Sequence, residues 1–265
     1  MIPKIIHYCW FGANPLSEDA KRYIASWKKH CPDYEIREWN ESNFDINENA
    51  YCREAYEQKK WAFVTDYVRL KALYECGGIY MDTDVEVVKP LDPLLSYDAL
   101  SGYESKTRIP TGTMASCRDN EWIGMLLNDY KDRHFIKADG SLDLTTNVEV
   151  ITRLTVERYQ ITLDGTITVF GKDNKMALLP FDYLCAKSLE TGQVNRTDNT
   201  YTIHHFSGSW LPEETREYAK RFKSYYSQYL LDGVPEKLAF VMCRLKAAYE
   251  LGGAKLVLKK IFKDK

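Results

Sequence analysis

Apolar positions along the first hundred residues change period several times, and each change marks an element. Residues 4–10 (KIIHYCW) form a short β-branched and aromatic run, opened by Pro3 and closed by the stretch 12–15, which predicts a strand. Between 19 and 30, Ala20, Tyr23, Ile24 and Trp27 recur at helical spacing before Pro32, which predicts an amphipathic helix. Residues 34–39 (YEIREW) alternate like a second strand. Strand, helix and strand in forty residues predict a βαβ opening, hence a mostly parallel sheet with helices on its faces. The strongest pattern spans 61–93. Trp61, Val64, Val68, Leu70, Leu73 and Tyr74 sit at roughly helical spacing, and Gly77-Gly78 follows where a helix C-cap is wanted. Ile79, Met81, Thr83 and Val85 then alternate with Tyr80, Asp82, Asp84 and Glu86, which predicts one strand with Asp82 and Asp84 on the same side.

Later elements are shorter. Strands are predicted at 98–103, 167–170, 177–179 and 201–206, and a helix at 120–130 with Asp119 or Asn120 as N-cap. Residues 144–159 are ambiguous, since Val148, Ile151 and Leu154 have helical spacing among several threonines. Near the end, Pro235 suits the first turn of a helix whose stripe is Leu238, Val241, Met242, Leu245 and Tyr249. The closing KLVLKKIFKDK is basic and amphipathic; it reads either as a helix packed on the body or as one lying on an anionic membrane face.

Composition narrows the function. A net charge of −2 argues against nucleic-acid binding, which favours a basic balance. Nineteen tyrosines and six tryptophans suit stacking on sugars or bases, as well as a core. Seven cysteines without a CxxC pair, together with no secretory signal and no long apolar run, predict a cytoplasmic protein.

Two aspartates at a strand end form a site for a hard divalent cation, Mn²⁺ or Mg²⁺, which commonly bridges carboxylates to phosphates. The bland alternative is a solvated strand edge. Asp66 and Arg69 share a helix face just before the pair, and an arginine fork suits an anionic or polyhydroxylated ligand. His204 and His205 end a strand-like run; alternation lets only one of them face a given side, and imidazole suits Mn²⁺ better than Mg²⁺. Trp10, at a strand end, reads equally as a core residue or as a stacking platform.

IPKIIHYCWFG at the start, TDYVRLKALYECGGIYMDTDV in the middle and the late HHFSGSW resemble the DXD-containing sugar-binding glycosyltransferases. That family includes yeast mannosyltransferases and bacterial capsule enzymes, and the clostridial glucosylating toxins are similar in the same blocks. The resemblance implies an α/β fold of GT-A type, a single Rossmann-like domain over 1–212 with a mostly parallel sheet, and a helical extension over 213–265. It implies a nucleoside-diphosphate sugar donor (UDP or GDP), Mn²⁺ or Mg²⁺, a glycan or lipid-linked saccharide acceptor, and transfer with retention of configuration. By position, Trp10 would stack on the base, and Asp66, Arg69 and Tyr80 would surround the donor sugar and ribose. Asp82 would touch ribose or sugar and help bind metal, and Asp84 would ligate it. His205 would be the third ligand, with His204 in reserve. Arg69 and the metal would stabilise the leaving diphosphate, and Ser209 and Trp210 would close over it. The family's T-G-P stretch has its expected counterpart at Thr145-Thr146-Asn147, which makes Asn147 a candidate neighbour of the reacting sugar. Two competing readings are a phosphatase or phosphotransferase with Asp82 as nucleophile, and a binding module without catalysis.

Overall fold

A computed structural model describes residues 1–208 and 211–262, the side chains of 174 and 254–262 excepted. Nine strands run in chain order among the described residues: β1 Ile5–Cys9, β2 Glu35–Trp39, β3 Gly78–Met81, β4 Val85–Val87, β5 Ala99–Gly102, β6 Thr113–Ser116, β7 Thr168–Phe170, β8 Met176–Leu179 and β9 Thr202–His204. The α-helices are α1 Glu18–His30, α2 Ala50–Glu57, α3 Trp61–Cys76, α4 Glu121–Asn128, α5 Asn147–Tyr159, α6 Phe181–Leu184, α7 Glu213–Leu231 and α8 Glu236–Phe262.

Seven strands form the main sheet in the order β2-β1-β3-β6-β5-β8-β7. Parallel pairs join β1 to β2 and β3, and β5 to β8; β6 and β7 run against the rest. The expected α/β class with a mostly parallel, helix-flanked sheet is therefore present. Alternation along β3 sends Tyr80 into the core on one face, with Val64, Val68 and Trp122. Ile79 and Met81 enter the core on the other face, with Ile24 and Trp27 of α1. Trp27 is fully buried and its Nε1 donates to the Val85 carbonyl at 2.7 Å, satisfying the one polar atom of a large apolar side chain.

Two glycines make the α3–β3 corner. Gly77 (φ +65°) caps α3, and a Cβ there would stand 2.7 Å from the Arg118 backbone nitrogen. Gly78 (φ +109°) lies against His7, with a hypothetical Cβ 2.9 Å from Nε2. His7 is completely buried; its Nε2 bonds the Gly77 carbonyl at 2.7 Å while Nδ1 accepts from Trp39 Nε1 at 3.0 Å. That pairing fixes a neutral ring, and burial lowers its pKa from 6.5 to about 4. Below pH 6.5 the unfolded chain takes up a proton that the folded chain refuses. Stability contributed here is therefore whole above pH 6.5 and lost as pH falls towards 4, by about 3 kcal/mol in all. Urea denaturation at pH 7 and pH 4.5 should show that loss in the wild type and a clearly smaller one in His7→Gln.

Three expectations change. The predicted strand through Asp82 and Asp84 is two strands, β3 and β4, separated by a turn that Val85 N–H closes on the Asp82 carbonyl at 3.0 Å. β4 then leaves the main sheet to pair antiparallel with β9. Residues 144–159 resolve as α5, with the Thr146 hydroxyl accepting from Glu149 N–H at its start. β6, a central strand, has no counterpart among the predicted elements.

By contacts the chain divides into two compact units: 1–186 with 195–205, and 187–194 with 206–265. The first holds both sheets; the second holds α7 and α8, joined by Phe222, Tyr226, Ala239, Cys243 and Ala247.

Candidate active site at the carboxyl edge of the sheet

The carboxyl ends of β1 and β3 lie side by side, since His7 pairs with Tyr80 in parallel register. Ligands of such sheets bind beyond this edge. Asp82 follows β3 directly, and Trp10 follows β1. Trp10 is partly buried, packs against the core and donates Nε1 to the Asn14 carbonyl at 2.6 Å.

Beneath the aspartates lies a buried arginine. α3 carries Asp66 and Arg69 one turn apart, and both are below a tenth exposed. Arg69 Nη2 donates to Asp66 Oδ1 and Thr65 Oγ1, Nη1 to Asp82 Oδ1 and the Thr111 carbonyl, and Nε to the Thr65 carbonyl, all at 3.0–3.1 Å. These five bonds use every N–H of the guanidinium. The Tyr80 ring supports it, with Cζ 4.6 Å from the centroid, and the Tyr80 hydroxyl donates to Asp82 Oδ1 at 2.8 Å. Arg69 stays charged: burial opposes the charge, but Asp82, Tyr80 and Asp66 outweigh it. Burial pushes the Asp66 carboxyl up to about 7 against the pull of Arg69. Asn147, at the start of α5, gives its amide to Asp66 Oδ1 and, at 2.8 Å, to Thr111 Oγ1.

Above this support, Asp82, Asp84 and His204 gather. Their ligand atoms all lie within 4.8 Å of one another. Both protein bonds to Asp82 fall on Oδ1, so Oδ2 keeps its lone pairs for a ligand. His204 Nε2 is 3.2 Å from Asp84 Oδ1. Burial lowers the imidazole pKa, yet the Asp84 carboxylate overrides it and holds His204 protonated well above the usual range. The two-stranded sheet explains the placement: His204 stands opposite Val85, beside Asp84, and His205 N–H donates to the Asp84 carbonyl at 2.9 Å. Alternation turns the His205 ring the other way. It bonds Glu86 at 2.9 Å and stacks on Tyr23, centroids 4.4 Å apart. The expected order of the two histidines is thus reversed, and the reserve residue faces the aspartates. Two carboxylates and an imidazole within reach of one point suit a single divalent ion, and the imidazole favours Mn²⁺ over Mg²⁺.

Thr111 and Gly112 went unremarked in the sequence, although PTG between two strands signals a turn. Thr111 offers both oxygens to the Arg69–Asn147 network, and the Gly112 carbonyl receives Asp82 N–H at 2.9 Å. A Cβ at Gly112 would come 2.6 Å from His204 Nδ1, so only glycine admits the ring there. Ser209 and Trp210 lie outside the described residues.

The sequence that carries α3 and the two aspartates matches a known region. Residues 17–101 match the family model described as "Glycosyltransferase sugar-binding region containing DXD motif". Inositol phosphoceramide mannosyltransferase 3 of Schizosaccharomyces pombe is similar at 30% identity over 130 residues, 46% of this chain and 35% of its own length. Subversion of eukaryotic traffic protein A of Legionella pneumophila is 22% identical over 263 residues, 81% of this chain and 40% of its own. Among solved structures, the PaToxG glycosyltransferase is 21% identical, covers 59% of this chain and 70% of its own, and superposes with a TM-score of 0.43. The chain spans between 31 and 40% of the length of the curated relatives it matches.

Proposed function

We propose that the chain is a GT-A-type glycosyltransferase. It moves a sugar from a UDP- or GDP-sugar to a glycan or lipid-linked saccharide, with retention of configuration, in cell-surface polysaccharide synthesis on the cytoplasmic side. Seven free thiols fit that reducing compartment. The observation that carries the proposal is the pairing of an Asp82–Asp84–His204 cluster with a fully bonded Arg69 at the carboxyl edge of the sheet.

Asp82, Asp84 and His204 would hold the ion, Mn²⁺ before Mg²⁺. Once bound, it supplies the positive charge that neutralises a departing nucleoside diphosphate. The chain's own residues orient the donor. Asp66, its position set by Arg69 and Asn147, presents a carboxyl to sugar hydroxyls, and Asn147 brackets the same space. Trp10 provides a flat surface beside the edge for the base. Arg69 takes a different part from the one expected, because a guanidinium with no spare N–H cannot clamp a diphosphate. It locks Asp66 and Asp82 in place. Tyr80, almost wholly buried, is likewise a support. Asp82, tied through Oδ1 to a cation and a phenol, is poorly disposed to attack phosphorus, which disfavours the phosphatase reading.

A thermal-shift panel of UDP- and GDP-sugars with Mn²⁺ and with EDTA tests the proposal. Saturating the cognate donor a hundredfold over Kd should stabilise the fold by about 2.7 kcal/mol, only with metal present. Product NMR on the best donor then separates transfer from binding alone. No shift with any nucleotide-sugar would sink the reading.

A further inference from the structure

Residues 133–143 form a hairpin with an ion-pair clasp at its base. Ile136 and Leu142 pair across it, Lys137 N–H donates to the Ser141 carbonyl at 2.8 Å, and Asp139 accepts from Ser141 N–H at 2.9 Å to turn the tip. Just outside that pair Arg133 meets Asp143: Nε and Nη2 both reach Oδ2, at 2.9 and 2.7 Å, and Nη1 reaches Asp129 at 3.5 Å. The two side chains of the clasp are only 14% and 12% exposed. The guanidinium lies over the rings of Tyr51 and Tyr130, with Cζ 4.9 and 5.2 Å from their centroids. A planar fork resting on aromatic faces is a geometry that arginine fills and lysine does not.

The clasp reaches the candidate active site through five residues of chain. Asp143 gives Oδ2 to Arg133 and keeps Oδ1 for Thr145 N–H, at 3.1 Å, while its own N–H is anchored on the Phe135 carbonyl at 2.7 Å. Thr146 then caps α5, and Asn147, the first residue of that helix, reaches Asp66 Oδ1 and, at 2.8 Å, Thr111 Oγ1. Arg133 is also near enough to act on Asp66: burial raises that carboxyl, and Arg69 and, more weakly, Arg133 pull it down. A buried ion pair adds little to stability over apolar side chains of the same size, so the value of this one lies in where it puts the strap 143–147. We propose that Arg133 is a positioning residue: through Asp143 and the strap it holds Asn147 against Asp66 and thereby shapes the part of the site that receives the donor sugar. This rests on the reading of Asp66 and Asn147 as neighbours of that sugar.

The test compares Arg133→Lys, which keeps the charge and loses the fork, with Asn147→Ala and with the double variant. Hydrogen exchange followed by mass spectrometry needs no donor. Amides of residues 144–150 should exchange about tenfold faster in Arg133→Lys, and those of α3 at the wild-type rate. Asp143→Asn, equal in shape, should reproduce this result. Calorimetry in Mn²⁺ then uses UDP-glucose and GDP-mannose as probes beside UDP and GDP. Each single variant should weaken the sugar nucleotide about tenfold and leave the free nucleotide within about twofold, and the double variant should be no weaker than either single one. The proposal is overturned if residues 144–150 exchange at the wild-type rate in both clasp variants. It is also overturned if sugar nucleotide and free nucleotide weaken alike, or if the two losses add in the double variant. Absence of binding by every probe counts against the proposed function alone, since the exchange result stands without a donor.

Discussion

Asp84→Ala should remove Mn²⁺-dependent donor binding and reduce turnover by roughly a hundredfold or more. Losing a group that merely orients a metal ligand costs ten- to a hundredfold, and Asp84 is proposed as one of the ligands themselves. Calorimetry with the donor chosen by thermal shift should show wild-type affinity that EDTA abolishes, and variant affinity already at the EDTA level. The histidines sharpen the test. His204→Ala should follow Asp84→Ala, because its ring faces the aspartates. His205→Ala should leave metal dependence intact, because that ring is occupied by Glu86 and Tyr23. Donor binding unchanged in Asp84→Ala and insensitive to EDTA would remove the cluster from the chemistry.

Arg69→Met should cost about 3–5 kcal/mol of stability and abolish donor binding together. Breaking a buried ion pair from one side leaves the opposite charges without compensation, and here both Asp66 and Asp82 lose their cation. For a chain of this size such a loss lowers the melting temperature by roughly 10 °C. Lysine should not rescue it. Its ammonium has three donors and no fork, whereas Arg69 uses five bonds directed at four residues. Arg69→Lys with wild-type melting and wild-type donor affinity would show that the network is dispensable.

The helix of the βαβ opening was legible because α1 buries one face, Ala20, Tyr23, Ile24 and Trp27, and such a face leaves a clean period in sequence. α3 is buried nearly all round, between α2, α4 and the sheet, and was legible from its length and the Gly77-Gly78 stop. β6 was not, since TMAS after Gly112 is four residues long and buried on both sides, with no alternation to detect. The break at Asp82 was hidden for another reason. Apolar and polar positions keep alternating through residues 79–86, but alternation does not say which partner each half pairs with, and here the partner changes from β6 to β9. Parity alone showed that only one of His204 and His205 could face the aspartates; choosing between them needed the register of β4 against β9. Likewise the stripe on α8 was visible as a pattern, while the side taken by α7 depended on how closely Ala239, Cys243 and Ala247 let the helices approach. The part of Arg69 was beyond sequence altogether, because it rests on counting the acceptors around one side chain.

The small β4–β9 sheet has a consequence for timing. All seven strands of the main sheet are complete by Leu179, and Asp66, Arg69, Asp82, Asp84 and Asn147 precede it in the chain. His204 arrives only with Thr202–His204. As the chain leaves the ribosome, its sheet can be assembled while the aspartates still lack their third neighbour. A chain ending near residue 200 would contain every strand of the main sheet and lack His204 of the proposed cation site. The proposed cation site gains its third member only when β9 pairs with β4 and brings His204 opposite Val85.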